Sequence, residues 1–424
     1  MKARALRWTF SVFAAAILGC DAAPSDPVER LRQVFAERPD VPYSDNAFLD
    51  LLGFLGPAGV DPHELGIRRV VWLEKLDSHP EGAGTDPGTP TLDPKLYRSQ
   101  ALTQVIDACR DAIARACDSA LDRVKGEAPL SHIESLLIAR YDMLLSRRGW
   151  REIGVTQPAA QRVPYEGAIE AQRFMLIRLR NVASAGDVES VRAVLTRDLT
   201  FWRTVLGSSD TLFSKMMALA AIRQHFTFGS FVLRDLPKAR AMEAIPAQWR
   251  NEFTLRERSM LRPMAGELMI AEELLQTGKG KVLVSSEPEP DGALDKLSPR
   301  IYREPTISEI ADTYLSVAEA FQVPLPEYEG VAARTHGKHA SDMGRGVSQY
   351  ALRVGSAEGM RRAALLTVEL RSQSVPVALL PERLQASPLR NPYNGQPFAW
   401  DPADRAVVFI GPERRDFKRQ AYPY

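Results

Sequence analysis

Apolar residues recur at three- and four-residue spacing along most of this chain, and that period predicts amphipathic helices. It runs through Tyr97–Val124, His132–Leu145, Ala168–Val182, Val188–Leu206, Thr211–Leu233 and Ala357–Arg371. Ala185-Gly186-Asp187 predicts a stop and a restart, with Gly186 just past one helix and Asp187 as the N-cap of the next. Gly207-Ser208-Ser209-Asp210 predicts another tight corner, and short corners between long helices make antiparallel neighbours. Thr306-Ile307-Ser308-Glu309 reads as a capping box, and the apolar face that follows it ends at Phe321. Two Pro- and Gly-bearing polar stretches, Asp77–Lys95 and Ser285–Pro299, predict surface loops, and 322–345 carries no sustained period.

The tail changes character. From Ser374 to Glu413 the pattern is short apolar runs between turn residues, with Pro397–Trp400 and Ala406–Ile410 predicting a β-hairpin joined through Asp401–Arg405. The expected fold is therefore mainly α, with multi-helical antiparallel helix stacks and a small C-terminal β-hairpin. A Val375-Pro376 after the last helix, Asn391-Pro392-Tyr393-Asn394-Gly395-Gln396-Pro397-Phe398-Ala399-Trp400 and then Val407-Val408-Phe409-Ile410-Gly411 resemble the end of type II secretion pseudopilins. The same stretch also resembles tails found on helical proteins of Gram-negative bacteria. The resemblance covers about forty residues and implies a helix packed on a small sheet. Fibre assembly and calcium binding do not carry over, because Gly411–Asp416 lacks an acidic cluster and the N-terminal apolar segment ends differently.

That N-terminal segment places Lys2, Arg4 and Arg7 before an uncharged run from Trp8 to Leu18. Eleven such residues suit a secretory signal, whereas a helix crossing the bilayer core needs roughly 20. Ile17-Leu18-Gly19-Cys20 resembles the lipobox of bacterial lipoprotein precursors, which implies cleavage before Cys20 and acylation of that cysteine. Asp21 resembles the signal that keeps lipoproteins in the inner membrane, so the periplasmic face of that membrane is the expected address, with the outer membrane as the alternative. Ordinary signal cleavage a few residues later would instead leave a soluble periplasmic chain. The expected division is a signal peptide at 1–19, a lipidated Cys20 and tether over 20–45, a multi-helical domain over 46–285, and C-terminal helices with the hairpin tail over 300–424.

Composition narrows the function classes. The chain has 424 residues, 45% hydrophobic and 25% charged, which suits a large globular core. Basic and acidic residues nearly cancel, 54 against 53, so nucleic acid is not an expected partner. The membrane, through the lipid, and a protein of the cell envelope are. Besides Cys20 only Cys109 and Cys117 occur, and an oxidising compartment favours closing such a pair. In one continuous helix they would stand about 12 Å apart, beyond the roughly 4.4–6.8 Å between Cα atoms that a disulfide spans. Ala108–Asp118 contains neither Gly nor Pro to make a turn, so two reduced, buried cysteines is one expectation and a disulfide the other.

Candidate chemistry is sparse. No Gly-x-Ser-x-Gly elbow occurs, and Thr277-Gly278-Lys279-Gly280-Lys281 lacks P-loop spacing. His336, His339 and Asp342 could present two imidazoles and a carboxylate to a metal, if a helix aligned them. His132 and Glu134 could be acid/base groups, but a solvated His beside a capping Glu explains them more simply. His225 reads as a core-edge histidine, and His63 and His79 as loop residues. Trp202, Arg203 and Lys215 could give an otherwise apolar groove an anionic-ligand end. Arg414, Arg415, Lys418 and Arg419 read as a solvated basic terminus. The expected function is a non-catalytic binding, scaffold or inhibitor-like lipoprotein without a cofactor. An envelope hydrolase using the His336 or His132 groups and a small-ligand carrier are the alternatives.

Overall fold

Helices begin where side chains supply caps. In the computed structural model Asp26 accepts from the Val28 amide and opens α1 (Pro27–Ala36), and Asn46 does the same for α2 (Ala47–Leu52). The structure describes residues 26–78, 85–87, 91–92, 100–109, 113–124, 131–156, 163–276, 306–338, 342–412 and 419–424. The leader, Cys20, His79 and the 277–281 glycine-lysine run lie outside them. After α3 (Pro62–Ser78), α4 (Gln100–Ala108) and α5 (Ala114–Arg123), Ser131 and Glu134 close a capping box on α6 (His132–Ser146). The predicted stop after α7 (Tyr165–Ser184) is present: Gly186 takes φ +80° and Asp187 accepts from the Ser190 amide to start α8 (Val188–Ser208). At the next corner Thr211, one residue beyond the expected turn, caps α9 (Leu212–Asp235).

The chain continues through α10 (Ala247–Arg250), α11 (Leu255–Arg258) and α12 (Leu261–Gln276). The Thr306 capping box starts α13 (Ile307–Ala320) as expected. The stretch read as irregular instead holds α14 (Tyr328–Lys338), and the next helix, α15 (Asp342–Ser372), begins well before Ala357; α16 (Leu380–Ala386) follows. The fold is mainly α, with one small antiparallel sheet. No helix among the described residues is long and apolar enough to cross a membrane.

Helix α9 is the centre. It packs on α7, α8 and α15, and one apolar core runs from Ala47 to Tyr422. Helix α15 shares this core with the helices that precede it in the chain. Leu31 of α1 is buried against Ala265 and Leu268 of α12 and Ile310 of α13, so the packed body already includes Pro27–Ala36.

The tail forms β1 (Ala399–Asp401), β2 (Ala406–Ile410) and β3 (Arg419–Pro423) in the order β1-β2-β3. A third strand thus extends the hairpin and takes in Arg419, which was expected in a solvated basic terminus; Arg414, Arg415 and Lys418 lie outside the described residues. Burial explains it: Gln420, Ala421 and Tyr422 are buried, and β3 packs on α9. Helix α15 lies on β2 so closely that a Cβ at Gly359 would stand 2.2 Å from the Phe409 ring. A second contact decides the cysteines. The Asp404 carboxylate, in the β1–β2 turn, accepts from the Ala114 and Arg115 amides at 3.1 and 2.9 Å. This borrowed N-cap lets α5 start afresh after α4, and Cys109 and Cys117 form a disulfide with Cα atoms 4.3 Å apart. The continuous-helix argument for reduced cysteines fails because its cap arrives from far along the chain.

Candidate functional site

Two polar clusters lie inside the helical body, and their hydrogen bonds separate their roles. The first is centred on Asp198 of α8, which is fully buried. Tyr141 O–H donates to Asp198 Oδ1 at 2.5 Å, and Gln172 Nε2 reaches both carboxylate oxygens at 3.1 and 3.0 Å. His225 Nδ1 stands 2.7 Å from Oδ2. The Trp249 indole, a donor only, gives its N–H to His225 Nε2 at 2.8 Å. His225 therefore keeps its proton on Nδ1 and donates to Asp198. Burial and the adjacent Asp198 charge push the Tyr141 phenol far above its ordinary range. A general base needs an open lone pair, and this imidazole has none, so the Asp–His pair organises the core.

The second cluster is at the α8–α9 corner. Backbone pairing between Asp45–Ala47 and Gly149 brings Trp150, Arg151 and Glu152 alongside, with the Asn46 side chain bonded to the Arg151 backbone on both sides. Glu152 Oε1 accepts from the Asp210 amide at 2.7 Å, and Oε2 from Thr211 O–H at 2.8 Å. Asp210 Oδ2 accepts in return from the Glu152 amide at 3.2 Å. Burial, with the Asp210 charge beside it, pushes the Glu152 carboxyl up to about 7.

Arginines close on Asp210 from two directions. Arg262 Nε donates to Oδ1 at 2.6 Å, and Arg38 Nη1 to Oδ2 at 3.3 Å. Arg38 stacks 3.7 Å over Phe35, and burial pulls its guanidinium below the ordinary value even beside Asp210. Arg38 Nε and Arg262 Nη2 are buried without a partner among the described residues. Room for α12 here comes from Gly266, where a Cβ would stand 1.8 Å from the Asp210 carbonyl. A cleft of about 510 Å³ opens over Glu152, with Arg38, Asp40, Arg151 and Tyr43 on its walls. A smaller one of about 360 Å³ includes Lys215, Arg256 and Arg262. Lys215 is buried, its Nζ donating to the Leu206 and Glu257 carbonyls at 2.7 and 3.0 Å. Burial pulls its amine down to about 7; Glu257 opposes that pull and Arg262 adds to it. Two groups that titrate near neutrality beside two clefts mark this corner as the candidate site.

The residues singled out from sequence fall in different places. Arg203 and Lys215 meet at Glu257, the first through its carboxylate at 2.6 and 2.9 Å and the second through its carbonyl. Trp202 does not join them; it is buried and donates to Tyr141 Oη at 2.6 Å. Of the three, only Lys215 lines a cleft at the corner. Glu134 is committed to its capping box, at the start of α6 with His132. His63 is in α3, not a loop, 2.7 Å from Asp50, and His225 is fully buried rather than at the core edge. His339 and the side chains of His336 and Asp342 lie outside the described residues. Among the described residues no group of three His, Cys, Asp or Glu is placed to hold a metal. Glu152 and Asp210 went unread because 58 positions separate them. The one available signal was an acidic residue after Trp150-Arg151 in a stretch otherwise bound for the core. No protein-family model, curated protein or solved structure matches the chain.

Proposed function

We propose that this protein is a lipid-anchored binding protein of the bacterial envelope, held at the periplasmic face by acylated Cys20, with a small anionic ligand seated in the Glu152 cleft. The observation that carries the reading is the pair of arginines on Asp210. Two cations share one carboxylate, and each has an N–H donor unspent in a buried setting. Of the two, Arg38 borders the Glu152 cleft and Arg262 the smaller one, and buried donors are nearly always paired in native proteins, so an anion beside Arg38 is the natural complement. Glu152 strengthens the case, since a carboxyl near 7 adds little repulsion once protonated. A partner protein in the envelope would then deliver the ligand or respond to it. A second reading, acid/base hydrolysis, is favoured by the same Glu152 value, and would make Glu152 the proton donor or acceptor.

Native mass spectrometry of the chain extracted from its own envelope tests both parts. The expected result is a diacyl or triacyl mass on Cys20 and a retained small anion that is lost in Arg38→Ala. A chain keeping its first nineteen residues without lipid would overturn the anchor. Equal retention in Arg38→Ala, or no retained ligand in either chain, would overturn the cleft. Slow conversion of the retained ligand, abolished in Glu152→Gln, would select hydrolysis over binding.

A further inference from the structure

A separate cleft of about 350 Å³ lies between the start of α9, α12 and α15. Its walls are mostly apolar: Leu212, Phe213 and Met216 from α9 and the Tyr350 ring from α15. None of its lining residues borders the Glu152 cleft or the Lys215 cleft. Phe213 packs against the Tyr165 ring at 5.4 Å and is still 54% exposed, so much of its ring is open to a ligand. Glu267 of α12 supplies the carboxylate of this cleft. Its Oε1 accepts from the Leu212 amide at 2.8 Å. Its Oε2 takes no hydrogen bond from the described residues, and that oxygen is not sealed inside the protein.

Burial pushes the Glu267 carboxyl above its ordinary value, and the Leu212 amide opposes that push. Arg353 also lines the cleft, but its guanidinium stacks 5.3 Å over the Tyr350 ring and does not lower the Glu267 carboxyl. A carboxylate with an open oxygen and no countercharge, set among apolar walls, is matched by a cation that carries its own apolar surface. Aromatic faces beside it favour the same charge. The volume is at the low end of the roughly 300–1,000 Å³ of small-molecule sites, which leaves room for one ring and a short chain. We propose that this cleft binds a small organic ammonium ion, its N–H taken by Glu267 Oε2 and its apolar body laid against Phe213 and Met216. The site is independent of the Glu152 cleft.

Isothermal titration of the full mature chain with phenethylamine, protonated at neutral pH, tests it. Ethylamine, phenethyl alcohol and phenylacetate are the comparators. Phenethylamine binds, and ethylamine, without the ring, and the alcohol, without the charge, bind at least about tenfold more weakly. Glu267→Gln keeps an acceptor for the Leu212 amide and removes the charge, so binding weakens by about ten- to hundredfold with a native circular dichroism spectrum. Phe213→Ala changes an exposed side chain and weakens binding by about tenfold. Arg38→Ala leaves phenethylamine binding unchanged, whatever it does in the other cleft. The proposal is overturned by no phenethylamine binding at millimolar concentration, by equal affinity for the alcohol, or by full affinity in Glu267→Gln or Phe213→Ala. Tighter binding of phenylacetate, which would give the cleft to Arg353, overturns it as well, and so does loss in Arg38→Ala.

Discussion

Replacing Glu152 by Gln isolates the electrostatics of the α8–α9 corner. The carboxyl titrates near 7 in the folded chain and near 4.5 when unfolded, because folding removes it from water and sets it against Asp210. Between those two values the folded state holds a proton that the unfolded state has lost. Stability from this group is therefore fully present below pH 4.5 and is lost as pH rises through 7, at a cost of about 3 kcal/mol. Gln imitates the protonated acid: its Oε1 keeps the Asp210 amide, and its Nε2 donates to Thr211 Oγ1, which can turn its own proton away. Urea unfolding at pH 4 should give closely similar stabilities for the two chains. By pH 8 the variant should be the more stable by about 3 kcal/mol, with the gap opening between pH 5 and 7. The assay is the denaturant midpoint with unchanged slope, read at half-unit pH steps. Parallel curves across that range would refute the buried, protonated Glu152 and with it the account of the corner.

Lys215→Met should change the other side of neutrality. The folded amine titrates near 7 and the unfolded one near 10.5, so the native chain should gain about 4 kcal/mol from pH 7 to 10, a rise that the Met variant lacks when unfolded by urea over the same range. Asp404→Ala should cost about 1–2 kcal/mol of unfolding free energy by removing the acceptor for the Ala114 and Arg115 amides and one partner of Arg419, and an unchanged midpoint would show that α5 starts for another reason.

What the sequence revealed was what its neighbours in the chain decide. Gly186 and Asp187, Ser131 and Glu134, and Thr306 and Glu309 act within three or four residues, so their helix ends were readable in advance. The break at Cys109–Cys117 was not, since its cap is Asp404, and a search for Gly or Pro between the cysteines looks in the wrong place. Strand β3 was hidden by the basic residues beside it, although Arg419 itself is tied to Asp401 and Asp404 at 2.8 and 2.9 Å. Helix α14 was masked by Gly330 and Gly337, which lower helix propensity without forbidding a helix held by its neighbours. The candidate site suffered most. Arg38, Glu152, Asp210 and Arg262 come from four separate segments and share no motif.

The clefts and the sealed core are connected through α9. Residues two apart on a helix stand roughly 200° around its axis, so His225 faces the Asp198 hub while Arg223 faces a cleft of about 240 Å³ beside β3. Gln224 lies between them and serves both. Its Nε2 joins Gln172, which bonds Asp198, and its Oε1 holds Arg173 at the cleft wall. Gln224 and Glu170 together fix the Arg173 guanidinium at the cleft wall, which is how a supporting layer keeps a charged side chain in place. The hub, with its donors and acceptors matched, supplies the rigidity that this requires. A side chain at position 224 without an amide would leave Gln172 Oε1 without the Gln224 donor and remove one of the contacts that hold Arg173, which also pairs with Glu170 at 2.6 Å, so a single change would loosen the hub and the cleft wall together.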